Sequence, residues 1–342
     1  MSSFDRHLRI VQTILAFLKS LWTPFVDNKV ERETESNLRF TFYIGVNSRY
    51  PKHVTTLSAY VALMKLRVVE LLVITTLPAM VLAQRGLPSF TLVAATLIGG
   101  TLAAGSSNAF NMVIEAETDK LMARTSKRPL VVGTVSKVQA TIFASLLAVL
   151  SLTIFQIFTT TLATLLTALA IFYYVVIYTI ILKPNTAQNI VWGGAAGCMP
   201  VLIGWAAVTG DLTWVPVAFF MVIFFWTPPH FWALAIKYKD DYSAAGIPML
   251  PSVSSQGVVI SQMWFHTIAM VVSSAAMIQL AHLPVWVLCA TVFLGAIFTF
   301  QLFALKENSD NYNKIAAGIF HWSITYLSLF SVLLVVSQLV SA

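Results

Sequence analysis

Asn111-Met-Val-Ile-Glu115-Ala-Glu117-Thr-Asp119-Lys-Leu-Met-Ala-Arg124-Thr125-Ser-Lys127-Arg128-Pro129-Leu130 is a dense polar stretch wedged between two long apolar runs. Asn111, Glu115 and Asp119 are four apart, so on one helix each is rotated only about 40° from the last. Three oxygen-bearing side chains then climb one face. Hard oxygen ligands at that spacing suit Mg²⁺, which is typically held by one or two carboxylates plus substrate phosphates. Arg124, Lys127 and Arg128 follow just past this expected helix and carry the donors that phosphate oxygens accept. A solvated loop with ordinary ion pairs uses the same residue types. The acids continue the face of an apolar helix, and that favours the ligand set.

The flanking runs decide the fold class. The 342-residue chain is 58% hydrophobic and only 10% charged, with a mean hydropathy of +0.79. A soluble domain carries about a quarter charged residues, so the chain is expected to be an all-α, polytopic membrane bundle. The net charge of +7 does not indicate nucleic acid, because the basic residues collect in the loops of one side. Cys198 and Cys289 lie inside apolar runs, make no metal spacing, and read as small core residues.

Residues 1–66 form the extended polar region, and the domain division is expected at 1–57 and 58–342. Ile10, Ile14, Phe17, Leu18, Leu21 and Phe25 recur at helical spacing beside Arg6, Arg9 and Lys19. That pattern fits an amphipathic helix in the membrane interface. Lys19 interrupts the apolar stretch, which excludes a secretory signal, and Asp5, Asp27, Glu31, Glu33 and Glu35 disfavour a mitochondrial presequence.

Runs long enough to cross about 30 Å of hydrocarbon fall near 68–84, 90–110, 138–158, 160–182, 190–208, 212–235, 258–280, 284–305 and 315–340. Residues 138–182 are nearly unbroken, yet one helix of that length is about two bilayers long. A turn at Thr159-Thr160-Thr161 must divide them. Arg85 stands alone on the side of the loops near 85–89, 209–211 and 281–283. The other Lys and Arg residues lie in the N-terminal segment, in the loops near 111–137, 183–189, 237–257 and 306–314, or at the adjoining span ends. That side is the cytoplasm of a bacterium, with the N-terminus there, or less readily the mitochondrial matrix.

Two more polar groups face the same side. Trp226-Thr-Pro228-Pro229-His230-Phe-Trp232 precedes Lys237-Tyr238-Lys239-Asp240-Asp241-Tyr242. Proline is tolerated at a helix start, so His230 is placed in the first turns of a helical segment. If that helix runs on to Asp241, His230, Lys237 and Asp241 fall within about 20° of one another. Ionisable groups sharing an intramembrane face usually mark function. Tyr174 and Tyr178, one helical turn apart, precede Lys183 and Asn189; their rings can stabilise a cation or form an interfacial belt. Acids, cations and aromatics on one side of a helical bundle describe a pocket that ionises a lipid diphosphate.

The chain from about Ser58 onward resembles the intramembrane aromatic prenyltransferase superfamily and, within it, the protoheme IX farnesyltransferases, or heme O synthases. The likeness rests on Asn111…Glu115…Asp119…Arg124-Thr125…Arg128-Pro129-Leu130, on Tyr178-Thr179…Leu182-Lys183…Thr186…Asn189, and on Pro200…Gly204-Trp205-Ala206. It rests equally on Trp226-Thr227-Pro228-Pro229-His230-Phe231-Trp232 and on Lys239-Asp240-Asp241-Tyr242…Gly246-Ile247-Pro248-Met249-Leu250-Pro251. There are departures. Glu115 and Glu117 stand where the family usually has Asp. Ala244 stands where the superfamily often has a second Asp four residues after Asp240, and Pro184 where the heme O synthases commonly carry Arg.

The resemblance implies a cavity open to the inner side, in which farnesyl is transferred from farnesyl diphosphate to the 2-vinyl group of protoheme IX, with addition of water. It implies Mg²⁺ held by Asn111, Glu115, Asp119, Asp240 and Asp241. Arg124, Lys127, Arg128 and Lys183 would neutralise the departing pyrophosphate, Tyr174 and Tyr178 would line the cavity, and Lys237 would contact substrate. His230 would meet heme through iron or a propionate, or else carry a proton. Partners implied are the bilayer and possible contacts with heme A synthase or heme-copper oxidase assembly, and no nucleic acid. Three other readings use the same residues: a relative acting on a quinone precursor or chlorin, a transporter, and a non-catalytic oxidase assembly factor. Transporters spread ionisable groups along a path through the membrane, whereas these gather at one side.

Overall fold

A computed structural model describes residues 56–341; the expected interfacial helix lies in residues 1–55, outside the described residues, and the expected division at 57/58 falls in the first described helix. No strand occurs among the described residues. Short α1 (Thr56–Met64) leads into α2 (Arg67–Gln84), α3 (Phe90–Ile114), α4 (Lys137–Phe158) and α5 (Thr161–Phe172). A π-helical segment, Tyr173–Leu182, continues α5, followed by α6 (Asn189–Thr209) and α7 (Trp214–Lys237). Then come α8 (Lys239–Ala244), α9 (Leu250–Val253), α10 (Gln256–Leu280), α11 (Val285–Ala304) and α12 (Tyr312–Ser341).

Among the described residues, eight helical segments are long and apolar enough to cross a membrane, the π-helical one counted with α5. In the first expected span, α2, the segment Leu72–Gln84 is a shorter apolar helix. The chain is therefore a multi-pass membrane protein. The Thr159–Thr161 break is present: α4 ends at Phe158, and Thr160 caps α5 by accepting from Ala163 N at 3.1 Å. The same hydroxyl donates to the carbonyl of Ala206 at 2.8 Å, tying the turn to α6. Ser89, Ser136 and Ser255 cap α3, α4 and α10 in the same way, satisfying backbone donors that a helix start leaves open.

The centre is built from α6 and α7, which pack on each other, with α2 against α6 and α10 and α12 against α7. Small residues set the approaches. A Cβ on Gly204 would lie 2.9 Å from the backbone oxygen of Thr76, and one on Gly194 2.8 Å from Cγ2 of Thr227. Helices α3 and α4 are stitched by Ser106, which donates to the Ala144 carbonyl at 2.8 Å, and by Ser151, which donates to that of Gly99 at 2.7 Å. Such bonds serve where hydrocarbon offers polar groups no other partner.

Candidate active site

Two of the expected helices end sooner than their sequence pattern implies. α3 stops at Ile114 and Glu115 is its C-cap, while Asp119 sits in a 3₁₀ turn, Thr118–Leu121. The backbone nevertheless keeps its four-residue steps: Glu115 N donates to Asn111 O at 2.9 Å, and Asp119 N to Glu115 O at 2.8 Å. The acids therefore still converge, although on a turn rather than one helix. α7 ends at Lys237 and a new helix begins at Lys239, so His230, Lys237 and Asp241 do not share one helical face. Pro228 and Pro229 stand inside α7 rather than at a helix start.

Around the first acids the structure gathers cations. Arg128 Nη1 lies 2.5 Å from Asp119 Oδ2 and 4.0 Å from Glu115 Oε2, and Lys183 bonds the other oxygen of Glu115. Asp119 is buried, with Thr125 donating to its carbonyl at 2.8 Å. The tight turn folds it under Arg128. Glu117 points away and is exposed, meeting Lys120 at 2.6 Å and Lys137 at 3.1 Å. Those hydrogen bonds hold its carboxyl below the usual range.

Lys65 joins the cluster without having been anticipated. It stands between α1 and α2 with φ of 49°, and its Nζ donates to Asn111 Oδ1 at 3.1 Å. Burial first, and then the neighbouring Arg128, bring its pKa down to about 7. The Lys65-Leu-Arg67 stretch ahead of the first span was its only sequence signal.

The π-helical segment supplies the opposite wall. Tyr174 OH donates to Asn108 Oδ1 at 3.4 Å, Thr179 accepts from Asn111 Nδ2 at 3.3 Å, and Lys183 meets Glu115. In an α-helix Tyr174 and Thr179 would point about 140° apart; the wider π turn brings residues five apart onto one side. Thr179 closes that turn by donating to the Tyr174 carbonyl at 2.9 Å. The Tyr174 and Tyr178 rings are 5.4 Å apart, and Tyr178 fills the space where Gly193 has no side chain.

The second motif reaches the same end through the buried group Met122, Ile190, Ala235, Tyr242, Ile247 and Met249. Arg124, exposed, lies over the Tyr242 ring at 5.9 Å, and Asn189 Nδ2 donates to Pro248 O at 3.3 Å. Asp240 and Lys127 are exposed and Asp241 is half-buried, while Lys237 lies over its neighbour Tyr238 at 5.5 Å. His230 is elsewhere: its ring stacks between Trp226 and Phe320 at 4.3 and 4.7 Å, and Nδ1 lies 2.6 Å from Ser323 Oγ.

No three His, Cys, Asp or Glu side chains converge as a metal-holding group among the described residues. Glu115 and Asp119 share Arg128, and Asp240 and Asp241 stand side by side in the first turn of α8. Each pair still fits Mg²⁺, whose usual donors are one or two carboxylates completed by phosphate oxygens and water.

Beside Asn108 and Tyr174 opens an apolar chamber enclosed by α2, α3, α4, α5 and α6, with about 820 Å³ of empty space including its open part. Its α3 wall is a small-residue stripe, Thr96, Gly100, Ala103, Ala104 and Ser107. That stripe was visible in the sequence, but which helices face it was not.

The profile of the UbiA prenyltransferase family matches residues 72–324, and the chain belongs to that family. It is 48% identical over 285 residues to the protoheme IX farnesyltransferase of Renibacterium salmoninarum, covering 82% of this chain and 90% of the relative. It is equally 48% identical over 283 residues to the protein of that name from Frankia alni, covering 82% and 98%. Among solved structures it is similar in fold to a digeranylgeranylglyceryl phosphate synthase, with a TM-score of 0.69 at 14% identity, covering 83% of this chain and 99% of that one. It is also similar to a UbiA homolog from Archaeoglobus fulgidus bound to DMAPP and Mg²⁺, with a TM-score of 0.57 at 17% identity, covering 80% and 100%.

Proposed function

We propose that this member of the UbiA prenyltransferase family transfers the farnesyl group of farnesyl diphosphate to the 2-vinyl group of protoheme IX, with addition of water, giving heme O and pyrophosphate. Near-half identity to two relatives of that activity, over nearly their whole length, supports the choice of substrates. The carrying observation is a paired acid–cation cluster, Glu115 and Asp119 with Lys65, Arg128 and Lys183, at the mouth of an apolar chamber. A prenyl diphosphate has the same two halves, a multiply charged head and a hydrocarbon tail.

Asn111, Glu115 and Asp119 are the residues that would hold one Mg²⁺, and Asp240 with Asp241 a second. When bound, the metal neutralises phosphate charge and makes pyrophosphate a better leaving group. The diphosphate draws Arg128 and Lys183 from the acids they now neutralise, and Lys65 reaches it beside Asn111; Arg124 and Lys127 approach from the loop. The C1–O bond of farnesyl breaks with its electron pair going to pyrophosphate, whose charge these cations stabilise. The rings of Tyr174 and Tyr178 face the allylic cation, and the chamber keeps water from it. The vinyl π electrons form the new C–C bond; the cation left next to the porphyrin takes the oxygen of water and a proton departs.

His230 contacts heme by its Nε2, Nδ1 being engaged with Ser323, and Lys237, exposed at the end of α7, meets a propionate. The cavity opens on the basic, inner side of a bacterial cell membrane, where diphosphate and metal are dissolved. The product would pass to heme A synthase or a heme-copper oxidase. Purified protein incubated with protoheme, farnesyl diphosphate and Mg²⁺ should yield a porphyrin heavier by a hydroxyethylfarnesyl group, identified by mass. Unchanged protoheme with pyrophosphate release, or no reaction at all, would refute the assignment.

A further inference from the structure

The chamber has a floor. Along α3 its lining runs from Asn108, next to the charged cluster, through Ala104 and Gly100 to Thr96. These residues are one turn apart on one side of the helix, and twelve residues of rise make the wall about 18 Å long. At the far end stands Phe155 of α4, fully buried and lining the same space. Its ring occupies the position a side chain at residue 99 would take: a Cβ on Gly99 would lie 2.8 Å from Phe155 Cε2. Ser151, one turn earlier on α4, holds the register by donating to the Gly99 carbonyl at 2.7 Å. The ring packs in one buried cluster with Ala163, Met199, Ile203 and Ala206, of which Met199 and Ile203 also line the chamber beside it.

We propose that Phe155, seated against Gly99, is the stop that sets the length of the prenyl chain this protein transfers. The inference rests on the farnesyl-transfer reading and adds to it the residue that selects among prenyl diphosphates. A tail entering from Asn108 runs along the α3 stripe until it meets the ring face. A longer tail must push a close-packed aromatic against the α3 backbone, and dense interiors resist such intrusion. A shorter tail leaves the end of the chamber unfilled and loses apolar burial.

The test compares geranyl, farnesyl and geranylgeranyl diphosphate in competition, each with protoheme and Mg²⁺, reading products by mass. Affinities of the non-reacting thiodiphosphate analogues are measured alongside by calorimetry. Wild type should prefer farnesyl. Phe155→Ala should raise the geranylgeranyl-to-farnesyl ratio by about tenfold or more, a size that pocket contacts of one or a few methylenes command. Phe155→Leu, which keeps the core filled, should move the ratio the same way by less. Ala104→Leu, which shortens the chamber from another wall, should favour geranyl. Folded Phe155 variants with the wild-type ratio would overturn the proposal, in turnover and in analogue binding alike. Absence of prenyl transfer by wild type from all three donors would instead defeat the functional reading on which it rests.

Discussion

Asn111 and Thr179 meet across the gap between α3 and the π-helical segment, amide to hydroxyl, at 3.3 Å. Both are buried. The hydroxyl is committed on its donor side to the Tyr174 carbonyl, so the contact couples the shape of the π turn to the orientation of a candidate metal ligand. The opposite face of Asn111 takes the Lys65 ammonium.

Thr179→Val should therefore lower kcat/KM for farnesyl diphosphate about tenfold, the loss of one buried hydrogen bond to a polar partner being worth about 1–3 kcal/mol. Thr179→Ser keeps the hydroxyl and should retain most of the activity. Steady-state kinetics of the two variants decide it, and a Val variant as active as the Ser variant would separate the π turn from Asn111.

Asp119 is buried and paired with Arg128, so it requires a gentle substitution. Asp119→Ala strands the half-buried Arg128, and breaking such a pair costs about 3–5 kcal/mol. Asp119→Asn keeps the shape and a hydrogen-bond acceptor while removing the charge. It should leave a folded, membrane-inserted protein without measurable turnover. Wild-type turnover by Asp119→Asn at ordinary Mg²⁺ would exclude Asp119 as a metal ligand. Glu115→Asp, one methylene shorter, should be the milder change provided Lys183 still reaches it.

His230→Ala should weaken heme binding and shift the Soret band, with farnesyl thiodiphosphate affinity unchanged. Ser323→Ala, which frees Nδ1 only, should have the same sign and a smaller effect. If the spectrum is normal and only the rate falls, His230 moves a proton instead of binding heme. Wild-type spectrum and rate together would reduce it to a ring packed between Trp226 and Phe320.

Topology is checked by single cysteines at Gly86 and Ser309, in a chain whose exposed Cys289 has been replaced by Ser. The seven membrane-long segments between them place the two sites on opposite sides. Ser309 should react from the inner, basic side and Gly86 from the outer. Labelling of both from one side would mean that one of these segments does not cross.

Sequence alone marked the eight segments long and apolar enough to cross a membrane among the described residues, because hydrocarbon thickness acts on each run of about 20 residues separately. The Thr159–Thr161 turn followed from that length limit, and the expectation of an inner, basic side rests on the placement of Lys and Arg. Sequence also marked Asn111, Glu115 and Asp119 as one polar face, since four-residue spacing survives the change from α-helix to turn.

Tertiary structure decided what depends on neighbours. Lys65 became part of the site only when α1 and α2 came to rest beside α3. The helix carrying His230 stopped at Lys237, where Tyr238 leads into α8, and Tyr242, Ile247 and Met249 pack together beyond it. The π turn formed where Tyr174, Thr179 and Lys183 each found a partner on α3, a gain that no local propensity encodes. The chamber and its floor at Phe155 belong to five helices at once. Periodicity reports which face of a helix is apolar or small; which helix that face meets is settled only by packing the bundle.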